Sequence, residues 1–402
     1  MDCDYTAINS LRAEQFWIVG FKMKKRRINF IIALSLLLIF LSNSNVLAMK
    51  LLTPKIGWTA TEKNLYWTID AGNTWKNITP PSVSFGEITF VLFLNTTQGW
   101  VLSNRNEVKY KEFFLSYTKD GGLTWLSNSI NLPEKYIQMD KNNRKKNPFS
   151  GDGWIDFIDI NNGWIVLEFP VSAKDNSMGI MLRTENGGKT FKIVADHIQL
   201  PLTGDFHFVT SKDGWLNGHV DASLYVTHDG GITWKEVTLE ISQQPYFTKE
   251  ESGDYYDLPI FQNSRQGFLP VTYLRDLYVS TLVLFATNNG GSTWKADRIM
   301  PDLKNIAYMY PSALADSILI SLVPSETEHS LTLIKVLPNG KTITTTANAL
   351  NIKGNLTKGS LYPSKWWKLS FITPDQGWVS TNTNQLLSTN DGGKNWTVIT
   401  PQ

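Results

Sequence analysis

One octad, T-x-[DN]-[GA]-G-x-[TN]-[WF], occurs six times in this chain and limits what it can fold into. The copies are Thr68–Trp75 (TIDAGNTW), Thr118–Trp125 (TKDGGLTW), Thr184–Phe191 (TENGGKTF), Thr227–Trp234 (THDGGITW), Thr287–Trp294 (TNNGGSTW) and Thr389–Trp396 (TNDGGKNW). β-forming residues such as Leu224-Tyr225-Val226 precede a copy, and an aromatic residue closes it. Two such runs around Asp-Gly-Gly or Asn-Gly-Gly predict a hairpin. The glycines supply positive φ. The Asp or Asn side chain accepts backbone N–H groups inside the turn, and the Trp or Phe supplies a large apolar ring to bury.

A second signal keeps step with the first. Gly57-Trp58, Gly99-Trp100, Gly163-Trp164, Gly214-Trp215 and Gly377-Trp378, with Gly267-Phe268 as the sixth, each precede an octad and follow a short polar turn such as Asn161-Asn162. One unit therefore reads strand, tight turn, strand opening on Gly-Trp, variable loop, strand, octad turn, strand. That is a four-stranded antiparallel meander, the blade of a β-propeller.

The octad resembles the Asp-box of the bacterial-neuraminidase-type repeat. That family includes sialidases, xyloglucan hydrolases, sortilin-type receptors and the photosystem II stability/assembly factor. The resemblance implies a propeller whose boxes lie between the third and fourth strands of each blade and serve folding, not catalysis. On that basis Asp70, Asp120, Asn186, Asp229, Asn289 and Asp391 are structural. The nearest resemblance is to photosystem II assembly factor-like propellers, which hold other proteins. Their basic contact patch has no counterpart in this arginine-poor chain, so the resemblance carries fold and broad class only.

The spacing of the boxes sets the expected blade count. The interval from Thr287 to Thr389 is about twice the others, so a unit without a box is expected between them, with Leu331–Thr346 as its outer hairpin around Pro338-Asn339-Gly340. Seven blades are predicted, at roughly 49–79, 80–132, 150–197, 202–241, 255–298, 305–348 and 362–402, in one all-β domain over residues 49–402.

Residues 1–48 read as a leader. Lys22, Lys24, Lys25, Arg26 and Arg27 precede an apolar run, Ile28–Leu41, and a short exit with small residues at Val46 and Ala48. This is the pattern of a secretory signal peptide cut after Ala48, with Met23 as an alternative start and an uncut N-terminal anchor as the alternative fate. The expectation is a secreted or cell-surface protein with no stable membrane insertion after the cut. The one cysteine, Cys3, lies in this leader, so residues 49–402 offer no disulfide, thiolate or cysteine metal site. Without the six basic and three acidic residues of the leader, the chain's 38 and 36 become 32 and 33. A near-neutral chain argues against nucleic acid as a partner. The basic run Lys141–Lys146 reads as a solvated loop.

Eleven of the fourteen tryptophans after the leader have repeat roles. Trp154, Trp366 and Trp367 do not. They precede a Gly-Trp pair near the expected start of an innermost strand, on the face opposite the boxes. They are the candidate binding anchors, together with Tyr255 and Tyr256. The same face should collect Asp156, Asp205, His207, His219, Asp221, Asp257, Arg275 and Asp276. No phosphate loop, metal-ligand spacing or cofactor motif is present. The sequence reading is a monomeric, non-enzymatic propeller that binds a protein or cell-envelope glycan. The alternative is a glycoside hydrolase, whose two carboxylates would come from Asp156, Asp205, Asp221, Asp257 and Asp276; no single catalytic residue is assigned.

Overall fold

The computed structural model describes residues 46–106, 111–136, 153–170, 177–198, 205–217, 223–237, 239, 254–274, 279–304, 306–314, 317–324, 331–336, 342–347, 369–380 and 385–401. Their strands form antiparallel sheets, each built from one continuous stretch of chain. The first holds β1 (Val46–Leu51), β2 (Gly57–Thr61), β3 (Leu65–Thr68) and β4 (Lys76–Asn77). The second holds β5 (Glu87–Phe93), β6 (Gly99–Asn106), β7 (Lys111–Thr118) and β8 (Leu126–Ser129). The third holds β9 (Gly153–Phe157), β10 (Gly163–Pro170), β11 (Ser177–Thr184) and β12 (Lys192–Ile198). The fourth holds β13 (Phe206–Phe208), β14 (Gly214–Asn217), β15 (Leu224–Thr227) and β16 (Lys235–Glu236). The fifth has its first strand in two pieces, β17 (Asp254–Tyr256) and β18 (Ile260–Phe261), both paired to β19 (Gly267–Leu274), followed by β20 (Val279–Thr287) and β21 (Lys295–Lys304). The sixth holds β22 (Ile306–Leu314), β23 (Ser317–Pro324), β24 (Leu331–Val336) and β25 (Thr342–Ala347). The last holds β26 (Leu369–Phe371), β27 (Gly377–Ser380), β28 (Leu386–Thr389) and β29 (Thr397–Val398). The expected all-β propeller of four-stranded antiparallel blades is thus the observed architecture. The sheet without an octad is β22–β25, as the box spacing predicts.

Each octad is a closed hydrogen-bond unit. In the first, the Thr68 hydroxyl donates to Asp70 Oδ1 at 2.7 Å and accepts from the Gly72 N–H at 2.9 Å. The Thr74 N–H and hydroxyl donate to the two Asp70 carboxylate oxygens at 2.8 and 2.6 Å. The pattern recurs at Asp120, Asp229 and Asp391. In the Asn186 and Asn289 boxes the amide donates to Thr190 or Thr293 instead, so that hydroxyl becomes the acceptor. The fourth residue of every box also donates its N–H to the first turn of the same sheet, as Gly187 does to the Asn161 carbonyl at 2.9 Å. Both carboxylate oxygens accept hydrogen bonds within the turn, which holds the pKa of Asp120 down at about 2, chiefly through the hydroxyl and N–H of Thr124.

Pairing explains the Gly-Trp signal. Gly99, Gly163, Gly214, Gly267 and Gly377 stand directly opposite Phe93, Phe157, Phe208, Phe261 and Phe371. The phenyl ring lies over the glycine; a Cβ at Gly163 would sit 2.3 Å from the Phe157 ring. The tryptophan that follows reaches the next sheet. Trp100 stacks on Phe157 at 4.0 Å and Trp164 on Phe208 at 3.7 Å, with the Trp164 indole N–H donating to the Gly230 carbonyl of the next box at 2.9 Å. These rings form the apolar joints between neighbouring sheets, and Trp100, Trp164, Trp215 and Trp378 are almost wholly buried.

The last sheet meets the first through the same joint. The Trp125 indole of the second sheet donates to the Ile78 carbonyl of the first at 2.8 Å; the Trp75 indole of the first donates to the Ile399 carbonyl of the last at 2.7 Å. The Leu51 N–H also donates to Ser370 Oγ at 3.0 Å. Side-chain packing and side-chain-to-backbone hydrogen bonds, rather than an exchanged strand, join the ends. Strand β1 begins at Val46, so it reaches back into the stretch read as leader.

Candidate functional site

Of the polar residues that the sequence places on one face, Asp156, Asp205, His207 and Asp257 are described, on or beside the first strands of the third, fourth and fifth sheets. Asp156 on β9 is only 7% exposed. Its Oδ2 accepts the Phe208 N–H of β13 at 2.6 Å and lies 3.2 Å from His207 Nδ1. That pairing ties the third sheet to the fourth. The His207 ring remains 47% exposed. Burial pushes its pKa down, but the hydrogen bond and charge of Asp156 outweigh that, with Lys50 of β1 opposing, and the net shift is upward.

Asn217, at the end of β14, ties the fourth sheet to the fifth. Its N–H donates to the Asp205 carbonyl at 3.0 Å, and its side-chain amide donates to the Tyr256 carbonyl. Asp257 follows Tyr256 in the gap between β17 and β18, where Pro259 has no N–H to give a strand partner. The Asp257 N–H is held by the Pro270 carbonyl at 3.1 Å. Burial, and then the neighbouring Asp205 charge, raise the Asp257 carboxyl to about 7. Asp205, exposed just before β13, therefore acts electrostatically on a carboxyl of the next sheet that holds its proton near neutrality.

The aromatic candidates fare differently. Trp154 on β9 is 8% exposed and packs with Trp164, Val166, Met181, Phe206 and Phe208. It fills the joint between the third and fourth sheets and offers no free ring to a ligand. Tyr256 is half-buried and packs with Trp215 and Val271. Tyr255 pairs with Thr272 on β19. Trp366, Trp367, His219, Asp221, Arg275 and Asp276, like the basic run 141–146, lie outside the described residues. Asn217 escaped the sequence reading, because only the meeting of the fourth and fifth sheets brings it to Tyr256. His228, inside its box, pairs with Asp213 at 2.8 Å, away from this cluster. Among the described residues no group of three His, Cys, Asp or Glu side chains could hold a metal ion, and no helix is long and apolar enough to cross a membrane.

Residues 225–236 match the BNR/Asp-box repeat family model. No curated protein matches the sequence. Among solved structures, YCF48 bound to D1 peptide is 16% identical, covering 86% of this chain and 93% of that one, with a TM-score of 0.50. The GH74 xyloglucanase from Xanthomonas campestris is 12% identical, covering 89% of this chain and 55% of its own, with a TM-score of 0.53. YCF48 from Cyanidioschyzon merolae is 15% identical over 81% of this chain and 87% of that one, with a TM-score of 0.42. At such identities the likeness is one of fold, which binding proteins and enzymes share. The hydrogen-bonded boxes and the repeat match show BNR/Asp-box repeats in this chain, and its fold resembles that of YCF48 bound to D1 peptide.

Proposed function

We propose that this chain is an exported, non-enzymatic seven-bladed propeller that holds a protein or cell-envelope glycan at the face formed by its inner strands. The observation that carries this reading is the linked set Asp156, His207, Asp205, Asn217 and Asp257, which spans three neighbouring sheets and leaves the His207 ring half exposed. A rigid scaffold that presents hydrogen-bonding groups from several blades suits recognition of a polar partner. Seven sheets among the described residues, with last and first joined like first and second, support a seven-bladed reading. The near-neutral charge supports a partner other than nucleic acid. The basic and apolar runs before residue 42 support export to the medium or cell surface. The working state is a monomer with no cofactor.

A second reading, glycoside hydrolase, is favoured by one observation. Asp257, held protonated to about 7 beside Asp205, offers the acid and the carboxylate that such chemistry needs. One experiment separates the two. The purified protein is incubated with a panel of cell-envelope polysaccharides and, in parallel, with immobilised envelope proteins, and is scored for retention and for released sugar. Retention without release, weakened at least tenfold by His207→Gln at unchanged melting temperature, supports binding. Sugar release abolished by Asp257→Asn replaces that reading with the hydrolase. Retention that ignores both substitutions, or none on either panel, refutes the assignment of this face.

A further inference from the structure

We infer that the leader is cut between Ser44 and Asn45, ahead of strand β1, rather than after Ala48. The inference rests on the export reading. The sequence offers two cuts with small residues one and three places before them. Ala48 follows Val46 in this way, and Ser44 follows Ser42, directly after the apolar run that ends at Leu41.

The fold separates the two. A cut after Ala48 would fall inside β1. It would remove the pairs Val46↔Thr61 and Ala48↔Ala60. It would empty the place of Ala48, 7% exposed, in the cluster with Trp58, Ala60 and Leu65. It would deprive the buried Thr59 hydroxyl of its acceptor, the Ala48 carbonyl at 3.2 Å. It would also leave a charged α-ammonium on Met49, which is 3% exposed and packs with Trp378 and Leu386 against the last sheet. A cut after Ser44 does none of this. The processed chain would begin one residue before Val46, with the whole of β1 intact.

The test is to express the full chain in an exporting bacterium and read the N-terminus of the released protein by intact mass and sequencing. The expected start is Asn45. A start at Met49 overturns the inference while leaving export standing. An N-terminus at Met1 or Met23, with the apolar run retained, overturns both. Ser44→Leu supplies the second arm, since a large residue directly before the cut blocks processing there. The Asn45 species should fall at least tenfold, with precursor accumulating; an undiminished Asn45 species would refute the assignment.

Discussion

Ala71 occupies a position that every other box gives to glycine, and replacing it should stabilise the protein. Its φ is +62°, and it is the only non-glycine with positive φ among the described residues. Gly121, Gly187, Gly230, Gly290 and Gly392, its equivalents, have φ between 69° and 79°. The conformation is imposed from outside, because the Ala71 N–H must reach the Lys55 carbonyl at 2.8 Å to tie box to first turn. A Cβ in the left-handed region costs about 1–2 kcal/mol. Glycine recovers that but adds about 0.5–1 kcal/mol of chain entropy to be lost on folding. Ala71→Gly should therefore gain about 1 kcal/mol, a rise of about 2 °C in melting temperature for a domain of this size. Gly121→Ala is the mirror experiment. It places a Cβ at φ +69° only 2.9 Å from the Thr96 carbonyl oxygen, so it should cost about 2 kcal/mol or more. Thermal and denaturant unfolding, followed by tryptophan fluorescence, measure both. A destabilised Ala71→Gly, or a neutral Gly121→Ala, would refute the claim that box geometry dictates this backbone.

Other consequences follow from the same packing and titration. Gly163→Ala forces the Phe157 ring out of its stack with Trp100 and should cost about 2–4 kcal/mol; adding Phe157→Ala should make the glycine change nearly neutral, a coupling readable in a double-mutant cycle. Asp70, Asp120, Asp229 and Asp391 have lowered pKa values, set first by the Thr74, Thr124 and Asn395 donors at Asp70, Asp120 and Asp391 and reached against a burial penalty at Asp229. Their stabilisation is present above the unfolded value near 4 and is lost as pH falls toward 2, so melting temperature should drop steeply there, and Asp120→Asn should drop less. Asp257 has the opposite sign. Its raised pKa gives stability below about pH 4 that is lost as pH climbs to about 7, at most about 4 kcal/mol. Asp257→Asn should flatten that decline; an unchanged pH profile would show that the carboxyl ionises normally. His207 also has a raised pKa, so its contribution is present below about 6.5 and fades as pH rises beyond, which His207→Gln should remove.

The sequence alone determined what local chemistry controls. A Thr, an Asp or Asn and a Gly-Gly pair within eight residues close their own hydrogen bonds, so the boxes were legible wherever they fell, and their spacing located the sheet at β22–β25 that has none. Tertiary structure decided everything that depends on which strand lies beside which. Trp154 looked unassigned because its partners, Phe206 and Phe208, are some fifty residues away on the next sheet. The glycine of each Gly-Trp pair acquired its reason only when register set a phenyl ring across from it. Asn217 joins the fourth sheet to Tyr256 of the fifth, and Asp156 joins the third to Phe208 of the fourth, through contacts between separate sheets. The start of β1 at Val46 is likewise a matter of pairing with Thr61, which no feature of the leader records. Hydrogen bonds within a turn are encoded by neighbours in the chain, whereas packing between blades is encoded by residues that become neighbours only when the sheets meet.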